Sequence, residues 1–189
     1  MTSKLFVSAL FIFAAISFCI GQDKKSDSEL LQYKLLATTR TSTMQKEINE
    51  TAAEGYRILV GAPTSGSEMA LFLSREGTVA DPYQYKLLAT TRTGTMQKEL
   101  NETADAGYRL IPSTMIAKKG FLGGVEIVMI MERPPKTRRN YEYKLLATTR
   151  TSTLQKEVTE AKDAGYAIVG MVSRDEHMVV MERERPVTP

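Results

Sequence analysis

Residues 33–56 read YKLLATTRTSTMQKEINETAAEGY, and residues 85–108 repeat them as YKLLATTRTGTMQKELNETADAGY. A third copy, YKLLATTRTSTLQKEVTEAKDAGY, fills residues 143–166. The first two agree at 20 of 24 positions, the second and third at 18, and the starts lie 52 and 58 residues apart. Agreement on that scale marks a tandem array, so the reading of one copy serves all three.

Each copy opens with a β-rich Tyr-Lys-Leu-Leu-Ala-Thr-Thr-Arg segment. Ser42, Gly94 and Ser152 then stand at helix N-cap positions, with Gln45, Gln97 and Gln155 three places on, as a capping box requires. Gly94 lacks the side-chain acceptor. Met44, Ile48 and Ala52 form one apolar stripe at helical spacing, repeated by Met96, Leu100 and Ala104 and, with a one-place drift, by Leu154, Val158 and Ala161. Gly55, Gly107 and Gly165 follow where a helix commonly ends in a left-handed residue. Tyr56, Tyr108 or Tyr166 then starts a hairpin, whose turns fall near residues 63–67, 120–124 and 174–177.

The fold class expected is α+β: three tandem βαββ units, each a mainly antiparallel three-stranded sheet with one helix on one face. The third strand is the most apolar, and Pro112 lies in the second strand of the middle unit, which sends that strand to an edge. The third strand is therefore expected in the centre. Boundaries follow the Pro- and charge-rich stretches: units at 33–76, 85–133 and 143–185, linkers at 22–32, 77–84 and 134–142, and a tail at 186–189. In residues 125–131 apolar side chains occupy both faces of the strand, and one helix covers only one side of a sheet. The other side is expected to pack sheet to sheet on a sibling unit, or to self-associate.

Ahead of the array, Lys4 precedes an apolar run at residues 5–20 and a polar switch at Gln22, the layout of a secretory signal peptide over residues 1–21. The run is shorter than the ~20 residues that cross a bilayer comfortably, so no retained membrane span is expected. Cys19 and Gly21 suit cleavage after Gly21. Cys19 also invites lipidation, against which bulky Phe18 argues. The expected location is extracytoplasmic, periplasmic or secreted. Cys19 is the only cysteine, so a cleaved chain has no disulfide, thiolate metal site or cysteine nucleophile. Removing residues 1–21 takes one Lys from 25 basic residues and none of the 22 acidic ones, leaving no basic field for nucleic acid.

The repeated Tyr-Lys-Leu-Leu strand, the Gln-Lys-Glu helix, the Ala-x-Gly-Tyr junction and the hairpins closing on Met-Glu-Arg resemble bacterial domain-of-unknown-function family 4177, short βαββ domains. The resemblance covers nearly all of residues 33–185 and implies the fold. It implies no catalytic or binding residue. Unit one departs from it, since residues 69–75 lack the Met-Glu-Arg ending.

Candidate chemistry is sparse. His177, the only histidine, lies in one hairpin turn without a counterpart in the other units. Glu47/Glu50, Glu99/Glu102 and Glu157/Glu160 fall between the stripe positions, beside Lys46, Lys98 and Lys156, as an ordinary charged helix face. The sequons at Asn49 and Asn101 fall mid-helix. The strand-to-helix turns hold the best candidates. Arg40, Thr41 and Ser42, Arg92 and Thr93, and Arg150, Thr151 and Ser152 combine guanidinium and hydroxyl groups with the free N–H groups of a helix start, a combination that suits an anion. No metal site, cofactor or catalytic set is indicated. The function expected is that of a non-catalytic, exported binding or scaffolding repeat protein. The alternative is an enzyme-associated or anion-binding domain using those turns.

Overall fold

The computed structural model describes residues 31–77, 81–120, 123–136 and 139–186. The segment expected to be a signal peptide, with Cys19, and most of the tail lie outside them.

Unit one runs β1 (Gln32–Thr38), α1 (Thr41–Ala53), β2 (Arg57–Pro63), β3 (Met69–Arg75). Unit two runs β4 (Gln84–Thr90), α2 (Thr93–Asp105), β5 (Arg109–Leu110), β6 (Ile116–Lys119), β7 (Val125–Arg133). Unit three runs β8 (Asn140–Thr148), α3 (Thr151–Asp163), β9 (Ala167–Ser173), β10 (His177–Arg185). The sheets are ordered β1-β3-β2, β4-β7-β5 with β6 also on β7, and β8-β10-β9, all pairs antiparallel. The third strand is thus central in every unit, and the fold is α+β as its apolar content implies. Strand β8 starts at Asn140, inside the stretch read as linker.

Two local readings need correction. The helices begin at Thr41, Thr93 and Thr151, with Arg40, Arg92 and Arg150 at the N-cap and no side-chain cap bond. There is no capping box. The turn is held instead by the preceding threonine: the N–H of Arg40, Arg92 and Arg150 donates to Oγ1 of Thr38, Thr90 and Thr148 at 3.3, 3.1 and 3.1 Å. Second, Pro112 does not sit in a strand. It opens a 3-10 turn (Pro112–Thr114) that splits the edge strand into β5 and β6. Buried Thr114 repairs the gap, its Oγ1 accepting from Ile130 N at 3.1 Å and donating to Ile111 O at 2.7 Å. The third strand of unit one, β3, is a full central strand despite its divergent ending.

An arginine late in the third strand has a structural task in each unit. Arg75, Arg133 and Arg183 donate to the last helix carbonyls, Glu54 O, Ala106 O and Ala164 O, at 3.0, 2.9 and 2.9 Å. Their guanidinium groups lie 4.9, 4.8 and 4.5 Å from the ring centres of Tyr56, Tyr108 and Tyr166. Gly55, Gly107 and Gly165 make the turn between helix and tyrosine at φ of 90°, 87° and 87°.

The units stack as alternating layers. Helix α1 contacts β1 of its own unit and β4 of the next, and α2 contacts β4 and β8. The cores follow that order. Met44, Ile48, Leu71 and Leu73 of unit one share a cluster with Tyr85, Val128 and Ile130 of unit two. Met96, Leu100, Ile127 and Met129 of unit two share another with Tyr143, Leu145 and Val180 of unit three. Strand β7 is accordingly buried on both faces, Ile127, Met129 and Met131 in one core and Val128 and Ile130 in the other. Units do share apolar surface, but the second face of the sheets of units two and three meets the preceding unit's helix layer rather than a sibling sheet face.

Candidate functional site

The two seams carry most of the polar chemistry and are built from the same positions. At the first, Gln45 Nε2 donates to Tyr85 O at 3.1 Å and Leu87 N donates to Gln45 Oε1 at 2.7 Å. At the second, Gln97 Nε2 donates to Tyr143 O at 2.8 Å and Leu145 N donates to Gln97 Oε1 at 2.6 Å. Asn101 repeats the exchange, accepting from Tyr143 N at 2.9 Å and donating to Tyr143 O at 3.0 Å. β4 and β8 are edge strands, and these amides satisfy the edge N–H and C=O groups that a sheet leaves bare. An α-helix thus does the work of one more strand.

The tyrosines reach the other way. Tyr85 Oη accepts from Ile58 N at 3.3 Å, and Tyr143 Oη accepts from Leu110 N at 2.8 Å, tying each unit to the second strand of its predecessor. Burial pushes both phenols far above their ordinary pKa. Beside them, Arg57 Nη2 meets Glu132 Oε1 at 2.6 Å and Arg109 Nη2 meets Glu182 Oε1 at 2.8 Å. The hydrogen bonds that Arg57 and Arg109 donate to Glu132 and Glu182 hold both guanidinium pKa values up. Buried Glu182 also accepts from Tyr143 Oη at 2.7 Å, which compensates its removal from water.

The strand-to-helix turns lie at the opposite end of the same seams. Arg40, Arg92 and Arg150 are all exposed. At the first turn, buried Lys118 of unit two donates to Thr39 O at 3.3 Å and pairs with Glu126 at 2.8 Å. At the second, Arg174 of unit three donates to Thr91 O at 2.6 Å and to Thr93 Oγ1 at 3.0 Å. Thr93 Oγ1 in turn donates to Glu176 Oε1 at 2.9 Å. The Glu176 carboxyl is held below its ordinary pKa chiefly by Arg174. Two of the three turns therefore already receive a cation–carboxylate pair from the next unit, and that carboxylate repels an added anion. Arg150, Thr151 and Ser152 are exposed, with no such pair beside them among the described residues. No signal within one copy could have exposed this use of the turns, because the partners come from the divergent hairpins.

The remaining surface is unevenly apolar. Among the described residues, the large hydrophobic side chains that stand exposed lie in units one and three or, for Leu31, just ahead of unit one. Tyr33, Leu35, Val60 and Phe72 form the open face of the first sheet, where the pairs Leu35↔Phe72 and Val60↔Phe72 set them side by side. Ile168 and Met171 stand out on β9. A shallow cleft of about 630 Å³ lies between α1, β4 and α2, lined by Gln45, Lys86 and Glu99 among others. The helix carboxylates form i,i+4 pairs with lysine at the surface, such as Lys98–Glu102 at 3.6 Å. His177 Nδ1 lies 3.2 Å from Ser173 Oγ. Among the described residues no group of three or more His, Cys, Asp or Glu side chains gathers to hold a metal ion, and no helix is long and apolar enough to cross a membrane.

The structure thus defines an α+β tandem-repeat protein of three layered βαββ units. Compared with protein-family models, curated proteins and solved structures, the chain matches none.

Proposed function

We propose that this is a non-catalytic scaffolding or binding repeat protein working outside the cytoplasm, with the open face of the first sheet as its contact surface. One observation carries the reading: Tyr33, Leu35, Val60 and Phe72 stand exposed together, while the same face in units two and three is buried under a neighbouring layer. A contiguous exposed apolar patch of this kind marks an interaction surface. The seam side chains are committed to one another, and catalysis needs a group left free with a tuned pKa. Export rests on the cationic start and apolar run at residues 4–20. The resemblance to the bacterial βαββ family fits a module without chemistry of its own. The anion-binding alternative is supported less well, because Glu126 and Glu176 already stand at two of the three turns.

The test is a photo-crosslinking side chain placed at Phe72 in living cells, with one at exposed Lys98 on α2 as control. The reading expects a discrete adduct from position 72 and none from 98. Equal, diffuse labelling from both positions removes it.

A further inference from the structure

We infer that copies of this chain join head to tail: the α3 layer of one copy covers the open β1–β3 face of the next, repeating the two internal seams. This rests on the scaffolding reading and names the partner of the same face.

Each seam has two halves, and every half inside the chain is used. The half offered by a preceding unit is its helix face, its seam glutamine and the start of its second strand. The half offered by a following unit is its first strand's edge and open face. Among the described residues, no unit covers the second half that unit one offers, and none covers the first half that unit three offers. The two leftover halves are complementary to each other.

Burial shows this position by position. Tyr85 and Tyr143 are 5% and 2% exposed, against 61% for Tyr33, their counterpart in the repeat. Ile58 and Leu110, opposite the central strands at the same register, are 4% and 3% exposed, against 58% for Ile168. Met44, Ile48, Met96 and Leu100 are fully buried, while Leu154 and Val158 are only partly buried. Gln155, counterpart of Gln45 and Gln97, is exposed and bonds no strand edge among the described residues. Tyr33 O and Leu35 N, counterparts of the groups those glutamines hold, likewise meet no side chain among the described residues. Terminal repeats of an array normally present a polar outer face to water. These present Tyr, Leu, Phe, Ile and Met.

The polar differences at the ends come in matched pairs. Where the internal seams hold Arg57–Glu132 and Arg109–Glu182, the end faces carry Ala167 and Ser74. Both halves of the ion pair are missing together, so docking leaves no charge buried without a partner. The carboxylate that meets Thr93 is kept: Glu68 stands where Glu176 does, and Thr151 stands where Thr93 does. Thr64 replaces Lys118 and Arg174, so the end-to-end seam lacks that cation and is weaker than the internal ones. One face meets a different face, so the contact is heterologous and propagates to a ring or a filament.

The test uses two variants at exposed positions, purified from expressing cells and checked for unchanged circular dichroism and melting at high dilution. Leu35→Lys blocks the head. Gln155→Lys with Thr159→Arg blocks the tail. Sedimentation of the unaltered protein should show mass rising with concentration beyond one chain. Each variant alone should remain a single chain, with association weakened at least about tenfold, the cost of roughly 1.4 kcal/mol. Mixed in equal amounts they should form a two-chain species and nothing larger, since one good head meets one good tail. An unaltered protein that stays single at all concentrations overturns the inference, as it would if residues 22–30 covered the face. So does a tail-blocked variant that still pairs, which means the open face pairs with itself, or a mixture that stays monomeric. A position-72 crosslink to a different protein overturns the self-assembly and leaves the scaffolding reading standing.

Discussion

Gln97 on α2 and Tyr143 on β8 lie 46 residues apart in the chain, and the amide of one donates to the carbonyl of the other at 2.8 Å. With Leu145 N returning a bond to Gln97 Oε1 at 2.6 Å, one side chain closes both hydrogen-bonding directions of a bare strand edge. The consequence is a measurable asymmetry between repeat positions that look alike. Gln97→Ala strands the part-buried Leu145 N–H and leaves Tyr143 O with Asn101 alone, which should cost roughly 1–3 kcal/mol, a fall in Tm of about 2–4 °C per kcal/mol for a chain of this size. Gln155→Ala, at the same repeat position, should change stability by less than about 0.5 kcal/mol in dilute protein. Thermal unfolding of both variants side by side decides it. Equal losses would mean that the glutamines act within their own helices.

That contrast also marks where sequence reasoning stops. The repeat, the Met44–Ile48–Ala52 stripe, the positive-φ Gly55 and the central third strand are all local patterns, and the structure contains each of them. The two-sided apolar content of β7 showed that both faces needed cover. It did not show what covers them. Gln45 follows Ser42 at capping-box spacing, yet the helix starts at Thr41 and aims the amide at another unit. Local grammar and tertiary use were indistinguishable there, since the same residue type serves both. Pro112 was legible as an edge residue but not as a 3-10 turn, because Thr114 makes that turn tolerable only through its bonds to Ile111 and Ile130. The seam pairs Arg109–Glu182 and Lys118–Glu126 fall in the hairpins, which diverge between copies, so comparing copies gave them no weight.

Acid should loosen unit three first. Glu142 on β8 accepts from Arg183 Nη2 at 2.6 Å and from Arg185 Nε at 3.2 Å, bonds that tie β8 to β10. Arg183, then Tyr166 and Arg185, hold its carboxyl down from 4.5 to about 2, against a modest opposing effect of burial. The folded pKa is depressed, so the stabilisation is complete above about 4.5, the unfolded value, and is lost as pH falls toward about 2. Tm should therefore drop across that window, and Glu142→Gln should lower Tm at neutral pH while flattening the drop. A variant whose acid profile superimposes on the unaltered protein's would assign the loss to other carboxylates.

Sulfate and phosphate provide a check on the turns. Arg40, Arg92 and Arg150 are exposed, and Glu126 and Glu176 accompany the first two turns. Both salts should raise Tm above a chloride control at matched ionic strength simply by exclusion from the surface. The triple variant Arg40→Ala/Arg92→Ala/Arg150→Ala should show the same rise. A rise that disappears in the variant would restore the anion-binding reading, and the single Arg150→Ala variant would then show whether the third turn alone carries it.

The middle unit should not stand alone. Residues 82–135 contain a complete helix and all four strands of their sheet, so secondary structure alone gives no reason for them to fail. Their packing does. Tyr85, Val128 and Ile130 are buried by unit one, and Met96 and Leu100 are buried in a core shared with Tyr143 and Leu145 of unit three. Excising the unit bares both layers at once. Re-exposing Tyr85, Val128 and Ile130 alone forfeits roughly 4–9 kcal/mol at about 1.5–3 kcal/mol for each large apolar side chain, an upper figure because denatured chains are partly compact. That is comparable with the whole stability of an ordinary domain, about 5–15 kcal/mol, and a unit of this size begins near the margin. The fragment should be unfolded by circular dichroism, or self-associated through the bared faces when concentrated. Joining unit one to it restores the first seam and should restore cooperative unfolding. A monomeric residue 82–135 fragment as stable as the full chain would show that the layers are separate beads on a string, and the shared cores would then be contacts without consequence.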